Sequence, residues 1–215
     1  MGAKLRHQEM ILKIHPENPE LRKIEKLAGI LMDGGVAICP TDTIYAFICD
    51  LRQFKAFESI CRLKSVKTDK ANFSLLCRDL ANISAYTKPF DRQVYKILNR
   101  ALPGPYTFIL DAGSEVPAMF RSRKRTIGLR VPDHPVIQAL LDTVGFPLVA
   151  SSLHDSDSIR EYPTDPEEIA MEWEKKVDVV VDGGFGRLVP STVIDLTGDS
   201  PVIMREGAGD ASGLF

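Results

Sequence analysis

The chain has 215 residues, of which 44% are hydrophobic and 26% charged, and its formal net charge at pH 7 is −2. This composition is typical of a soluble globular protein, and the length suits one domain with a sizeable core. No apolar run approaches the roughly 18 residues that span a bilayer, and the first residues lack the apolar segment of a secretory signal, so we expect no membrane insertion. The charge alone predicts no nucleic-acid binding, although cationic clusters at 62–70 and 121–125 suit an anionic ligand.

The cysteines are too far apart to form a metal or disulfide motif. They stand at positions 39, 49, 61 and 77, with no Cys-x-x-Cys pair. This spacing argues against a zinc ribbon and against a secreted disulfide scaffold. Cys39 and Cys77 lie inside apolar runs, where cysteine behaves as a small hydrophobe. We therefore expect a reducing, cytoplasmic location.

Hydrophobic periodicity predicts helices and strands that alternate along the chain. Helices are predicted at 19–32, where Asn18 is the expected N-cap, and at 53–63, 89–102, 134–144 and 165–176. Strands are predicted at 36–39, 73–77, 106–111, 126–131, 147–152, 177–182, 191–196 and 201–206. The interleaving indicates an α/β or α+β fold, and the short links between late strands indicate a mixed sheet. Since no linker composition divides the chain, we expect one domain.

Common signatures of nucleotide-dependent and metal-dependent enzymes are absent from the sequence. It contains no P-loop, no dinucleotide fingerprint, no nucleophile elbow and no metal motif among its four histidines. The glycine-rich segment DGGFG at 182–186 lacks the spacing of a phosphate-binding loop. Any nucleotide must therefore be held by scattered residues.

Five polar clusters lie near the ends of predicted strands. They comprise Thr41, Asp42, Thr43 and Tyr45; Lys64, Lys67 and Lys70; Pro103 to Thr107; Arg130; and Ser151, Ser152, His154, Ser191, Thr192 and Arg205. Strand-end loops commonly carry ligand sites, and hydroxyls with cations suit phosphate oxygens. Each cluster also has a structural alternative: the threonines could close a turn, Arg130 could pair with Asp133, and His154 could be a surface residue. From the residues alone, we expect an α/β domain with an anion site.

Seven motifs in these regions together resemble the threonylcarbamoyl-AMP synthase family, which has the YrdC-like fold. They are GGVAICPTDTIYAF, RLKSVKTDKANFSLL, LPGPYTFIL, TIGLRVPDHP, PLVASSL, STVIDL and MREGAGD, in the family's order over residues 20–210. The segments ANFSLLCRDL and VIDLTGDSPVIMREGAGD are similar to the YciO branch. The resemblance implies a twisted, open, mixed sheet with flanking helices around a deep, positively lined cleft. It also implies a single domain over 1–215, with its core at about 20–210 and no appended C-terminal domain.

The resemblance implies a nucleotidyltransferase that uses ATP, threonine and bicarbonate. In this family a threonine carbamate attacks the α-phosphate of ATP, with Mg²⁺, and threonylcarbamoyl-AMP and pyrophosphate are formed. The adenylate then serves the threonylcarbamoyl-adenosine modification of tRNA, and binding of double-stranded RNA has also been proposed for the family. By this resemblance the catalytic residues are Lys64, Thr41 and Arg205. The residues that bind substrate or ATP are Thr43, Tyr45, Lys67, Thr107, Arg130, Ser152, His154 and Ser191, and no residue is expected to ligate a metal directly.

Two segments depart from the family's pattern. The synthases carry an arginine two residues after the lysine, whereas Val66 stands there after Lys64, and Lys67 is displaced by one position. The family's Ser-x-Asn reads Ser-Leu-His at 152–154. Loss of one charged contact to a transition state typically costs about 2–4 kcal/mol, so the reaction could be slow.

Two other functions are compatible with the sequence. One is an RNA-binding or ribosome-associated protein that kept the fold and the cleft but lost the chemistry. The other is a different acyl-adenylate or carbamoyl-adenylate former in which His154 contacts another acid. RNA binding would weaken steeply with added salt, whereas nucleotide binding would be saturable and linked to magnesium.

Overall fold

A computed structural model describes residues 10–68, 71, 73–117, 120, 125–153 and 162–215. In these residues the chain forms six helices and ten strands. The helices are α1 Leu21–Met32, α2 Phe54–Leu63, α3 Leu80–Tyr86, α4 Arg92–Ala101, α5 Pro135–Val144 and α6 Pro166–Trp173. The strands are β1 Ile11–Lys13, β2 Ala37–Cys39, β3 Ala46–Asp50, β4 Ser74–Leu76, β5 Tyr106–Asp111, β6 Thr126–Arg130, β7 Leu148–Ser152, β8 Val179–Asp182, β9 Thr192–Asp195 and β10 Val202–Arg205.

All ten strands belong to one open sheet, in the order β1-β8-β2-β3-β7-β4-β6-β5-β9-β10. The pairs β1·β8, β2·β8, β4·β6 and β5·β9 are parallel. The pairs β2·β3, β3·β7, β4·β7, β5·β6 and β9·β10 are antiparallel. This arrangement confirms the predicted mixed α/β sheet.

The sheet buries both of its faces against helices. Successive side chains of a strand point to opposite faces, so Phe47 packs in one hydrophobic layer and its neighbour Ile48 packs in the other. The first layer contains Phe57 of α2 and Trp173 of α6, and Trp173 meets Phe47 edge to face with ring centroids 4.8 Å apart. The second layer is formed by α1 and α5, for example through Leu27. Each large apolar side chain buried in this way stabilises the fold by about 1.5–3 kcal/mol.

Several predicted boundaries are wrong because local hydrogen bonds shift them. α1 begins after Glu20, and the N–H of Asn18, the expected cap, donates to Nδ1 of His15 instead. α4 begins at Arg92 rather than at residue 89, because the Asp91 carboxylate accepts the N–H of Val94 at 2.9 Å and caps the helix there.

Three elements were not predicted: β1, β3 and α3. β3 is buried along its whole length, so it shows no alternation of apolar and polar residues. β1 has three residues and α3 has seven, which is too short for a clear periodic signal. Most of the polar loop predicted at 153–164 lies outside the described residues.

The four cysteines are buried, and none forms a disulfide. Burial raises the pKa of the Cys39, Cys49 and Cys77 thiols, which keeps them protonated. The prediction that Cys39 and Cys77 behave as small apolar side chains is confirmed. Among the described helices, none has the length and apolar character to cross a bilayer.

Candidate functional site

Arg130, the last residue of β6, joins two distant parts of the sequence. Its Nη2 donates to Oδ1 of Asp42 at 2.7 Å and to Oγ1 of Thr43 at 3.0 Å, both in the loop after β2. Three strands separate β2 from β6, and in a flat sheet four steps of about 4.8 Å would hold them about 19 Å apart. The two hydrogen bonds thus connect strands that are not neighbours in the sheet. The acidic partner of Arg130 is therefore Asp42 and not Asp133.

The ion pair between Arg130 and Asp42 is almost fully buried, with side-chain exposures of 7% and 6%. Burial lowers the pKa of the guanidinium, the Asp42 carboxylate opposes this effect, and the nearby cation of Arg205 adds to it. Two cations within electrostatic range of each other favour a bound anion, because an anion relieves their mutual repulsion.

Arg205 anchors a second hydroxyl cluster where β9 begins. Its Nη2 and Nε donate to the carbonyl oxygen of Ser191 at 2.8 and 3.2 Å, and Nη2 also lies 3.3 Å from Oγ of Ser191. That hydroxyl is 2.8 Å from Oγ1 of Thr107 on β5. Ser191 is buried, whereas Thr107 and Arg205 are half-buried. The structure thus brings together three of the predicted residues and leaves two of them partly accessible.

Lys64 and Ser152 form a third cluster beside the loop after β2. Nζ of Lys64 donates to the carbonyl oxygen of Ser152 at 2.7 Å and lies 3.4 Å from its Oγ. Ser152 ends β7 and is opposite Ala46 at the start of β3. Both Lys64 and Ser152 are half-buried. This cluster is therefore one strand away from the threonines of the loop.

At the end of α2, Val66 occupies the position where the family resemblance predicts an arginine, and its side chain has a structural role there. Ser65 has a left-handed conformation, with φ of 55°, and its N–H donates to the carbonyl of Arg62. The N–H of Val66 donates to the carbonyl of Cys61, and its side chain packs against the core. These two bonds form a Schellman motif, in which a hydrophobic residue at this position stabilises the helix end. Lys67 is exposed just beyond it.

Tyr45 supports a glycine-rich turn and is 1% exposed. Its hydroxyl donates to the carbonyl of Gly184 at 2.6 Å. A Cβ on Gly186 would lie 2.7 Å from the Tyr45 ring, so only glycine fits there without movement. Backbone bonds continue the contact, because the N–H of Arg187 donates to the carbonyl of Thr43 at 3.0 Å. The DGGFG segment is therefore attached to the loop after β2.

Two residues near Arg130 were not predicted as site residues. The first is Asp42, which was noted in its cluster but given no role. The second is His134, the residue before α5, whose Nδ1 is buried with no hydrogen-bond partner among the described residues. Burial lowers the pKa of His134, and the Asp42 charge partly opposes the shift. The sequence signal that could have identified Asp42 is an acidic residue in the short segment that follows the apolar strand at 36–39.

Other predictions lie outside the described residues or remain untested. His154 and residues 121–124 are not described. The roles predicted for the remaining site residues stay predictions, as does the positively lined cleft. Among the described residues, no group of three or more His, Cys, Asp or Glu side chains is placed to hold a metal ion.

Comparison with known proteins identifies the family. A family model described as "Telomere recombination", named for Sua5, YciO and YrdC, matches residues 29–207. Escherichia coli YciO, itself described as uncharacterized, is 43% identical over 199 residues, which cover 92% of this chain and 95% of YciO. The crystal structure of E. coli YciO matches with a TM-score of 0.88 and 42% identity over 94% of this chain and 98% of that one.

Relatives from Pyrococcus abyssi are more distant. Its threonylcarbamoyl-AMP synthase is 28% identical over 192 residues, which cover 89% of this chain and 56% of the synthase. The crystal structure of P. abyssi Sua5 complexed with L-threonine matches with a TM-score of 0.82 and 27% identity, over 92% of this chain and 57% of Sua5. The motifs, the mixed sheet and these matches agree, and the chain belongs to the Sua5/YciO/YrdC family.

Proposed function

We propose that this protein forms L-threonylcarbamoyl-AMP and pyrophosphate from threonine, bicarbonate and ATP. The observation that carries the proposal is the proximity of two buried or half-buried guanidiniums, Arg130 and Arg205, next to hydroxyl clusters. Such a surface suits the phosphates of a nucleotide and the carboxylate of an amino acid. A P. abyssi relative is named a threonylcarbamoyl-AMP synthase, and the crystal structure of P. abyssi Sua5 is a complex with L-threonine; these two observations give the substrate class.

The reaction needs no protein nucleophile, because the carbamate of threonine itself attacks the α-phosphate. The protein has to bring carbamate and phosphate together and to stabilise the charge that develops on the phosphoryl oxygens. In the proposal Lys64 and Arg205 contact the triphosphate, and Arg130 contacts a carboxylate or phosphate oxygen. Thr107, Ser152 and Ser191 supply hydrogen bonds from their hydroxyls. Oriented cations act strongly here since the half-buried setting reduces screening by water.

Mg²⁺ in this proposal binds together with ATP. The described residues offer no cluster of carboxylates, and the one carboxylate in the Arg130 cluster is already paired. Mg²⁺ commonly keeps several waters and binds through substrate phosphates with few protein ligands, which fits such a site. When bound, it would neutralise charge on the triphosphate.

The proposed reaction is slower than in synthases that carry the second cation. Val66 occupies that place, and its apolar side chain, which packs against the core, cannot supply the missing charge. One lost contact of this kind corresponds to about 2–4 kcal/mol, or roughly two to three orders of magnitude in rate.

The test is pyrophosphate release that depends on threonine, with Mg-ATP and bicarbonate present. We expect Lys64→Ala to lower kcat/KM by roughly two to three orders of magnitude, the usual effect of removing one donor from a developing oxyanion. Lys55→Ala is the matched control, because Lys55 is an exposed lysine of α2, the helix that Lys64 directly follows, and it should leave the rate within a factor of two. Equal rates in the wild type and Lys64→Ala would contradict the proposal. RNA binding that weakens steeply with salt, without pyrophosphate release, would instead support the binding-protein alternative.

A further inference from the structure

Arg205 lies on an edge strand that side-chain packing holds only weakly. β10 is the last strand of the sheet and pairs on one side only, with β9. The three residues before Arg205 are exposed, at 53% for Val202, 41% for Ile203 and 61% for Met204, so they bury little apolar surface. The pairing with β9 also shifts register between Ile203 and Arg205, which makes Met204 an extra residue in the strand. The orientation of Arg205 therefore depends on contacts outside β10.

Such contacts come from the residues that lead into β9. The carbonyl oxygen of Ser191 accepts Nη2 and Nε of Arg205 at 2.8 and 3.2 Å. The carbonyl oxygen of Pro190, one residue earlier, accepts the N–H of Ala208 at 2.8 Å. The side chain of Thr192, one residue later, binds the chain on either side of Ala208. Three consecutive residues thus bind both the side chain of Arg205 and the backbone that follows it.

The hydroxyl of Thr192 is fully used in holding that backbone. A threonine hydroxyl has one proton and two lone pairs. Oγ1 of Thr192 donates to the carbonyl of Gly209 at 2.6 Å and accepts the N–H groups of Gly207 and Gly209, each at 3.0 Å. Thr192 is 1% exposed, so water does not compete for these bonds. Because Gly207 is two residues after Arg205, the bonds restrict the backbone that carries the guanidinium.

The same segment has a second anchor, farther along the chain from Arg205. Nη1 of Arg100, in α4, donates to the carbonyl of Gly213 at 2.6 Å. Leu214 is 7% exposed and packs in the first hydrophobic layer. We call residues 207–214 the strap. It is attached beside Arg205 at one end and to α4 and the core at the other.

Tyr106 holds the middle of the strap. Its hydroxyl donates to the carbonyl of Asp210 at 2.9 Å. Its ring lies so close to Gly209 that a Cβ on that residue would overlap it. Tyr106 directly precedes Thr107, whose hydroxyl contacts that of Ser191. The strap is therefore fixed to β5 and to the start of β9, where the hydroxyls of the Arg205 cluster lie.

We infer that the strap positions Arg205 for its anionic substrate, and that Thr192, Tyr106 and Leu214 are positioning residues that act through Arg205. Ser191 holds the side chain and the strap holds the backbone, so the guanidinium has its orientation before substrate arrives. The functional part of this inference rests on the proposed function, in which Arg205 contacts the triphosphate. The geometric part concerns the protein without substrate.

The geometric part is tested by NMR on the protein without substrate, through hydrogen exchange with solvent. The Gly209 N–H reports on the strap, and the Arg205 Nε–H reports on the guanidinium. Leu214→Ala loosens the far anchor without a change of charge, and Phe215→Ala is the matched control because Phe215 is adjacent and 56% exposed. We expect Leu214→Ala to accelerate exchange at least tenfold at Gly209 and at least fivefold at Arg205, and Phe215→Ala to leave both within twofold. Unchanged exchange at Arg205 in Leu214→Ala would overturn the inference, whether or not the strap loosens.

A second variant keeps the test decisive if Leu214→Ala does not fold. Arg100→Ala removes the bond to Gly213, and Arg92→Ala is its matched control because Arg92 is an exposed arginine of the same helix, α4. We expect Arg100→Ala to accelerate exchange of the Arg205 Nε–H at least fivefold and Arg92→Ala to leave it within twofold. Equal exchange in the two variants would overturn the inference.

The functional part is tested by a mutant cycle on Mg-ATP affinity, measured by calorimetry. Leu214→Ala is introduced into the wild type and into Arg205→Met, which keeps the cations of Lys64 and Arg130. A positioning role predicts a three- to tenfold loss of affinity in the wild type and a change within twofold in Arg205→Met. The same loss in both backgrounds would show that the strap does not act through Arg205 and would overturn the inference. If the wild type binds no Mg-ATP, the proposed function fails, and the exchange measurement still decides whether the strap holds Arg205.

Discussion

Thr192→Val tests whether one buried hydroxyl holds the C-terminal segment against the sheet. Thr192 is 1% exposed, and its Oγ1 makes three bonds to the chain that follows β10. It donates to the carbonyl of Gly209 at 2.6 Å and accepts the N–H groups of Gly207 and Gly209, each at 3.0 Å. Valine has the same shape, so the substitution removes these bonds without creating a cavity.

The expected loss follows from the groups left unpaired. Each buried backbone N–H that loses its partner costs about 1–3 kcal/mol, and Gly207 is only partly buried, so we expect about 2–4 kcal/mol in total. With an m value of about 2–3 kcal/mol/M, the urea midpoint should fall by about 1 M. Arg205 lies two residues before Gly207, so Mg-ATP affinity should fall as well.

The assay is urea unfolding followed by circular dichroism, with Thr197→Val as the matched control. Thr197 is exposed, and its hydroxyl bonds only the neighbouring Asp195 in the described residues, so its loss should stay within about 0.5 kcal/mol. A Thr192→Val variant as stable as Thr197→Val would refute the reasoning.

Three further substitutions test local features by thermal or chemical unfolding. Gly186→Ala should destabilise the protein by about 1–3 kcal/mol, because the new Cβ would meet the Tyr45 ring at 2.7 Å; no change would mean that the turn moves freely. Ser65→Gly should raise the unfolding free energy by up to about 1 kcal/mol, since Ser65 has a φ of 55° that glycine adopts without strain; a loss would show that its side chain matters more. His134→Gln should flatten the pH dependence of stability below pH 6.5. Burial lowers the pKa of His134 below 6.5 in the folded protein, so the unfolded chain binds the proton more readily as the pH is lowered. The free energy of unfolding of the wild type therefore decreases as the pH falls below 6.5; the same pH profile in His134→Gln would contradict this.

The fold was largely predictable because most elements carry a periodic signal. The strand at 106–111 was predicted to the residue, and α5 ends as expected before Gly145, whose φ is 75°. The elements that were missed lack such a signal, either because they are very short or, like β3, because both faces are buried. The N-terminus of α4 shows a further limit, since a single capping bond from Asp91 outweighed the pattern of the preceding residues.

The site was predictable only as a set of residues, and their contacts were not. Motif order gave Arg130, Ser191 and Arg205, yet nothing in the sequence indicates that Arg130 pairs with Asp42, 88 positions earlier. That contact joins β6 to the loop after β2, and three other strands lie between β2 and β6 in a sheet whose order is not sequential. Sequence patterns report residue types, whereas these roles depend on three-dimensional geometry.

The most direct test of the proposed function is incorporation of labelled bicarbonate. The wild-type protein is incubated with Mg-ATP, threonine and ¹³C-bicarbonate. The products are separated by chromatography, and their masses are measured by mass spectrometry. The proposal predicts threonylcarbamoyl-AMP that is one mass unit heavier than the product from unlabelled bicarbonate, together with pyrophosphate, and greatly reduced amounts of both with Lys64→Ala. Bound ATP without any labelled adduct in the wild type would contradict it.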